Sequence, residues 1–487
     1  MPWSEVMTPV PMRRVAVVVP HEAMRVSLVR IAEAGCVELD RVEEAAPGAA
    51  AQRLQRLQTR PEAPAAAPSG PARPTREAAA LTVLAPDLDT LEEHRDLGLL
   101  AGEAQLEERA RGAVVRGEVA ALAGWCPAAE MPRLARRLAA AGGALVPLRP
   151  PPGVDPPTQL RSGPSAAFAP LVTTYGTPPY TDVDPSWPAG ITYVVMFGIM
   201  FGDVGHGALL LLGALALRLG QPRRLGRYRR LWPFLAGAGA AAMLAGVAYG
   251  EFFGPTGVLP VLWLNPLASP ARLLAAAVVF GAGLLALAHA AGAVNRCREG
   301  GPGKALYATS GGAGLVFFLG FALGAAGLVL HRPDLALVGA GLAAAGMALV
   351  AVGVFRATAG GFAGLAETVV RLFDVAVRAG TNTLSFARLA AFGLTHAALA
   401  DLVWRGTTGL AGRGAAGLIG AVALFVLGTA ASFALEALVA GVQALRLEFY
   451  EIFSRIFEAE GRPFRPWHVP LAAPAEAERK VATCSPG

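Results

Sequence analysis

From about residue 188 to residue 450 the chain alternates long apolar runs with short polar breaks, at lengths suited to crossing a membrane. Runs over 189–201, 206–219, 231–249, 271–294, 305–330, 335–355, 381–404 and 414–446 predict eight spans. The first two read as a helical hairpin reversing at Gly202-Asp203-Val204-Gly205, with Asp203 at the far surface. Loop charge requires that reversal. Residues 220–230 hold Arg223, Arg224, Arg227, Arg229 and Arg230, and residues 295–304 hold Arg296, Arg298 and Lys304, whereas 251–270 have no Lys or Arg. Positive loops stay cytoplasmic, so a preceding cytoplasmic domain and the 220–230 loop need two crossings between them. Residues 362–377, with Glu367, Arg371 and Asp374 and followed by Arg378, read as an amphipathic surface helix. The last run measures roughly 48 Å against a hydrocarbon core of about 30 Å, so it must tilt, protrude or both.

Residues 1–187 carry a different pattern. Residues 13–40 read as strand, helix, strand, and 114–148 repeat the arrangement. Between them lie charged helical segments, 52–60 and 81–113, split by a Pro/Ala linker at 61–74. The expected fold is mainly α: an N-terminal domain over 1–187, a polytopic helical membrane domain over 188–450 and a tail over 451–487. The N-terminal domain is expected as two α/β lobes, about 10–45 and 114–150, joined by a short helical arm over 52–113. The first apolar run, 15–19, is far too short for a signal peptide. A multi-pass protein of the cell membrane with both termini cytoplasmic is the expectation.

The formal net charge of +6 alters this little. Of the 42 Lys and Arg, only Lys304 and Lys480 are lysines, and Ala, Gly and Pro are abundant, as a coding bias produces. Arginine abundance therefore indicates no nucleic-acid partner; its placement carries more. The cysteines, Cys36, Cys126, Cys297 and Cys484, lack metal-ligand spacing, so neither a disulfide framework, a zinc site nor any cofactor is expected. GGPGKA at 300–305 has a misplaced first glycine and no Ser or Thr after Lys304, which removes a nucleotide site.

Nearly all ionisable groups at membrane depth fall on the last two spans: Arg388 and His396 on one, Glu436, Gln443 and Arg446 on the other. An arginine in lipid costs from about 3 to well above 10 kcal/mol and keeps its charge. A purely structural reading pairs Arg388 with Glu436. The functional reading sets Arg388 to control a carboxylate on another subunit. At about 4 Å and an effective dielectric near 20 the attraction is about 4 kcal/mol, or roughly three pKa units. An acid carried through lipid in its neutral form must then release its proton on meeting Arg388. Glu436 and Gln443, seven residues apart and on one helix face, would line water-filled half-channels with His396. Asp203 and Glu251 are candidates for a channel mouth, with Glu251 also readable as a solvated loop charge.

Several segments together resemble the membrane stator subunit of V-type rotary ATPases, subunit a or, in prokaryotes, subunit I. They are YGTPPYTDVDPS at 175–186, MFGIMFGDVGHG at 196–207, SFARLAAFGLTH at 385–396 and ALEALVAGVQALRLEFYEIFSRIFEAEGRPFRP at 434–466. GWCP at 124–127 adds a weaker match. The resemblance implies that Arg388 is the essential channel arginine, Arg446 its second arginine and Glu436 the half-channel glutamate, with His396 and Gln443 lining the same path. It also implies a proteolipid (c/K) ring, peripheral stalk subunits, and central-stalk and nucleotide-binding subunits as partners. The N-terminal half is shorter than is usual in the family, so a shortened homologue in another complex stays open. So does a self-contained secondary transporter in which Arg388 binds an anion. Proton against sodium, and ATP synthesis against hydrolysis, are left open.

Overall fold

The computed structural model describes residues 8–40, 47–59, 85–94, 97–161, 167–220, 223–358, 360–457 and 460–468. The chain divides into two compact units, Val10–Ser162 with the segment from Gly461, and Gly163–Glu460 with the N-terminal residues.

In the first unit, β1 (Met12–Pro20) alternates, and Val15, Val17 and Val19 point into the core. It is followed by α1 (Met24–Ala34), closed by Gly35 in the left-handed region, and by β2 (Glu38–Leu39). Three helices come next, α2 (Ala49–Thr59), α3 (Leu88–Glu93) and α4 (Leu97–Arg111). Strands β3 (Val114–Arg116) and β4 (Val119–Pro127), helix α5 (Met131–Ala139) and strand β5 (Ala144–Leu148) complete the unit. The sheet runs β2–β4–β1–β5, with β3 also on β4, and its pairs are antiparallel.

The two α/β stretches expected as separate lobes therefore share one sheet, in which β1 and β4 pair from Met12↔Pro127 to Pro20↔Val119. Neither stretch alone encloses a core. Joined, they bury Val15, Val17, Leu122 and Cys126 with Leu28 and Ile31 of α1 and Leu134 and Leu138 of α5. The expected arm instead packs on this body through Arg25, which pairs with Glu103 at 2.6 Å, while Arg53 and Asp89 at 2.5 Å join two helices within the arm. Its Pro/Ala linker, 61–74, lies outside the described residues. The segment after Gly461 also belongs here. Trp467 N donates to Val37 O at 2.7 Å, and the buried indole joins the same core.

The second unit is helical. After α6 (Ala169–Tyr175) come α7 (Ser186–Met200) and α8 (Val204–Arg218), the short apolar pair expected as a hairpin. Then follow α9 (Trp232–Tyr249), α10 (Pro270–Tyr307), α11 (Gly312–Val329) and α12 (Pro333–Ala357). The last elements are α13 (Gly361–Ser385), α14 (Ala387–Ala411), α15 (Gly414–Leu447), one π-helical segment (Glu448–Phe453) and α16 (Ser454–Ile456). Among the described residues six helical stretches are long and apolar enough to span a membrane. Small residues let α11 and α12 approach backbone to backbone, with Gly339 against Gly324 and Gly320 against Ala343.

Two boundaries differ from the pattern. Helix α10 continues through the expected 295–304 loop to a kink at Gly300 and Gly301, because Asn295 and Arg296 are buried and bonded there. Helix α13 is amphipathic over its first turns, with Phe362 and Phe373 exposed beside the Arg371–Glu367 and Arg378–Asp374 pairs, but it runs on to Ser385. The 34 residues of α15 make it about 51 Å long.

Asn295 staples the stretch before α7 to α10: its Oδ1 accepts from Val183 N at 3.0 Å, and its Nδ2 donates to Ile456 O at 3.2 Å. Asp182, fully buried beside Glu299 and 3.9 Å from Arg296, is pushed up to about 7 by burial and by the Glu299 charge. A carboxyl raised in the folded state stabilises it at low pH, and that contribution is lost as pH climbs through about 7. The Asp182→Asn variant should therefore melt above wild type in detergent at pH 8, with the difference shrinking toward pH 5. A difference that is flat across this range would refute the assignment.

Candidate functional site

The α7–α8 reversal is fixed by Asp203, which is fully buried rather than at the surface the sequence suggested. Its Oδ1 accepts from His206 N at 2.8 Å, capping α8, and its Oδ2 accepts from Gly254 N at 2.8 Å. The loop after α9 is thereby drawn inward, and Val204 N donates to Glu251 O at 3.0 Å. Gly254, at φ +94°, tucks against Ala400 of α14, where a side chain would be strained. Glu251 ends up only 5% exposed, so its reading as a solvated loop charge fails. Hydropathy could not reveal this, because the loop folds back between helices.

His396 of α14 meets both sides of this pocket. Its Nδ1 pairs with Glu436 Oε2 of α15, and its Nε2 lies 3.9 Å from Glu251 Oε2. The His206 and His396 rings are 5.5 Å apart, enclosed by Phe201, Phe253 and Phe433. Asp203, His206, Glu251, His396 and Glu436 thus form one cluster, buried except for the partly exposed Glu436. Both His206 nitrogens, His396 Nε2, Glu251 Oε2 and Glu436 Oε1 have no hydrogen-bond partner among the described residues.

Arg388 stands on the first turn of α14, about 12 Å along the helix from His396. The break before it is set by Phe386, fully buried in the space that Gly281 of α10 leaves open. Arg388 is half-buried, and its Nη1 has no hydrogen-bond partner among the described residues. The structural reading, an Arg388–Glu436 pair, is not formed, since Glu436 is held by His396. Instead Arg388 faces the charges of Arg446 and Glu451. Arg446 is exposed, and Gln443 is half-buried with an unpartnered Oε1.

Sequence reasoning missed three buried groups. His206 follows Asp203 at the spacing of a helix cap, which was the available signal. Glu448, fully buried, accepts from Thr192 Oγ1 at 2.8 Å, and Glu451 lies near Arg388, Arg446 and Arg455. Both sit on the π-helical segment, whose extra residue per turn periodicity cannot foresee.

The chain therefore holds two polar levels among apolar helices: a His/carboxylate cluster, and an arginine level with a free donor. A Cβ at position 281 would overlap the Phe386 ring, so Gly281→Val should cost about 1–3 kcal/mol by overpacking. Detergent melting and accessibility labelling of an Arg388→Cys probe, in both backgrounds, would read the loss of stability and the shift of α14. Unchanged melting would contradict the packing.

A family model for the V-type ATPase 116kDa subunit family matches residues 113–230. An A-type ATP synthase subunit I of Aeropyrum pernix is 30% identical over 347 residues, covering 61% of this chain and 49% of that protein. Its counterpart in Halobacterium salinarum is 28% identical over 388 residues, covering 64% and 51%. A V-type proton ATPase 116 kDa subunit a 3 of Homo sapiens is 32% identical over 154 residues, 28% of this chain and 19% of that protein. The chain spans about half the length of these archaeal relatives.

Proposed function

Because the chain belongs to the V-type ATPase 116 kDa subunit family, we propose that it is the static membrane subunit of a rotary ATPase and forms proton half-channels against a proteolipid ring. The observation that carries this reading is Arg388, a cation among apolar helices with a donor left free beside a separate His/carboxylate cluster. Relatives called V-type proton ATPase subunits favour the proton as the ion.

Protons enter on one side through Asp203, Glu251, His396 and Glu436, whose buried oxygens and ring nitrogens can each hold or pass one. A ring carboxylate, once neutralised there, can rotate into lipid, where its charged form could not go. After its circuit it meets Arg388, whose charge favours the carboxylate and so drives proton release toward Gln443, Arg446 and the opposite face. The same charge prevents protons from hopping directly between the two paths. Each charge moved is worth about 2.3 kcal/mol per 100 mV of membrane potential.

The N-terminal sheet unit serves the peripheral stalks, and both termini face the cytoplasm. Central-stalk and nucleotide-binding subunits supply the ATP chemistry. Replacing Arg388 with Ala or Lys should abolish ATP-driven acidification of vesicles while the complex still purifies with its ring. Acidification at the wild-type rate in an intact Arg388→Ala complex would end the channel-arginine reading.

A further inference from the structure

The Asp203–His396 cluster holds more ligand chemistry than a proton path needs. One ligand atom each from Asp203, His206 and His396 lies within 4.8 Å of the others, and all three residues are buried. Asp203 Oδ1 is 3.8 Å from His206 Nδ1, and Glu251 Oε2 is 3.9 Å from His396 Nε2. We infer that these four side chains form a binding site for a borderline divalent cation, zinc above all, that regulates the channel by occupying it.

Four observations converge. His206 is 1% exposed, yet neither ring nitrogen has a hydrogen-bond partner among the described residues. His396 Nε2 is likewise unpartnered while its Nδ1 is held by Glu436, which is the carboxylate–histidine–metal arrangement that orients an imidazole for a metal. Asp203 is fixed by two backbone donors, one to each oxygen, so the site has a rigid member. The two carboxylates match a divalent charge. Two imidazoles with two carboxylates suit zinc, while sodium, magnesium and calcium prefer all-oxygen shells.

Tetrahedral zinc needs ligands at about 2.0–2.2 Å from the metal. Ligand atoms on such a tetrahedron lie about 3.4 Å apart, so the three atoms now within 4.8 Å close by up to about 1.4 Å, and Glu251 turns in from its place beside His396. A bound ion takes the His396 Nε2 lone pair and the Glu251 charge. Inhibition of proton entry by zinc therefore rests on the half-channel reading; binding itself does not.

The binding arm uses the purified full chain in detergent, titrated with Zn²⁺ or with Co²⁺ as a spectroscopic substitute. One equivalent should bind, with visible bands of tetrahedral cobalt and X-ray absorption showing nitrogen and oxygen ligands. Sulfur ligation, or no stoichiometric binding, would overturn the site. A variant with all four cysteines replaced by Ala should keep the ion, and His206→Gln should weaken binding by about tenfold or more. Full affinity in a folded His206→Gln chain would also overturn it. The inhibition arm compares zinc sensitivity of ATP-driven acidification, each variant against its own zinc-free rate. Stoichiometric binding without any inhibition would overturn regulation while leaving the site. If Arg388→Ala pumps normally, the half-channel reading fails while the binding result stands.

Discussion

Burial of ionisable groups among apolar helices is the constraint around which the helical unit is arranged. A carboxylate or imidazole in such surroundings must find a partner, lose its charge, or exchange protons. His396 resolves this for two acids at once, joining Glu436 of the neighbouring helix to the Glu251 loop. Asp203 then ties the short hairpin to that loop through backbone donors. Four separate stretches of chain are held together by one histidine and one aspartate.

Arg388 shows a second way to live with the constraint. It is not neutralised inside its own chain by Glu436, and its orientation comes from packing: a glycine on α10 admits Phe386, which ends α13 and starts α14 in the right place. A charge placed by an aromatic wedge keeps its hydrogen-bonding capacity for something outside the chain.

Much of this was legible in the sequence. The apolar runs, the paired short helices, the excess length of the final helix and the clustering of polar groups on α14 and α15 follow from composition and period alone. Arg388 stands out because no other Lys, Arg, Asp or Glu lies between Thr381 and Ala400. The sheet was misjudged because strand segments announce their faces but not their partners, so two local α/β patterns looked like two lobes. Asp203 and Glu251 were placed outward because hydropathy marks loop residues as wet and is blind to a loop that folds inward. Which of these side chains meet is a fact of tertiary packing that no window average contains.

The strand-like segment after Gly461 has a topological consequence. Because Trp467 completes the same hydrophobic core as β1, the residues flanking the helical unit belong to a single folded body. A body on one side of a bilayer admits only an even number of crossings between its parts, which agrees with counting the short α7–α8 pair as a round trip. It also sets an order in time. All five strands are made before the helical unit, but Trp467 can enter their core only after the last helix has been translated.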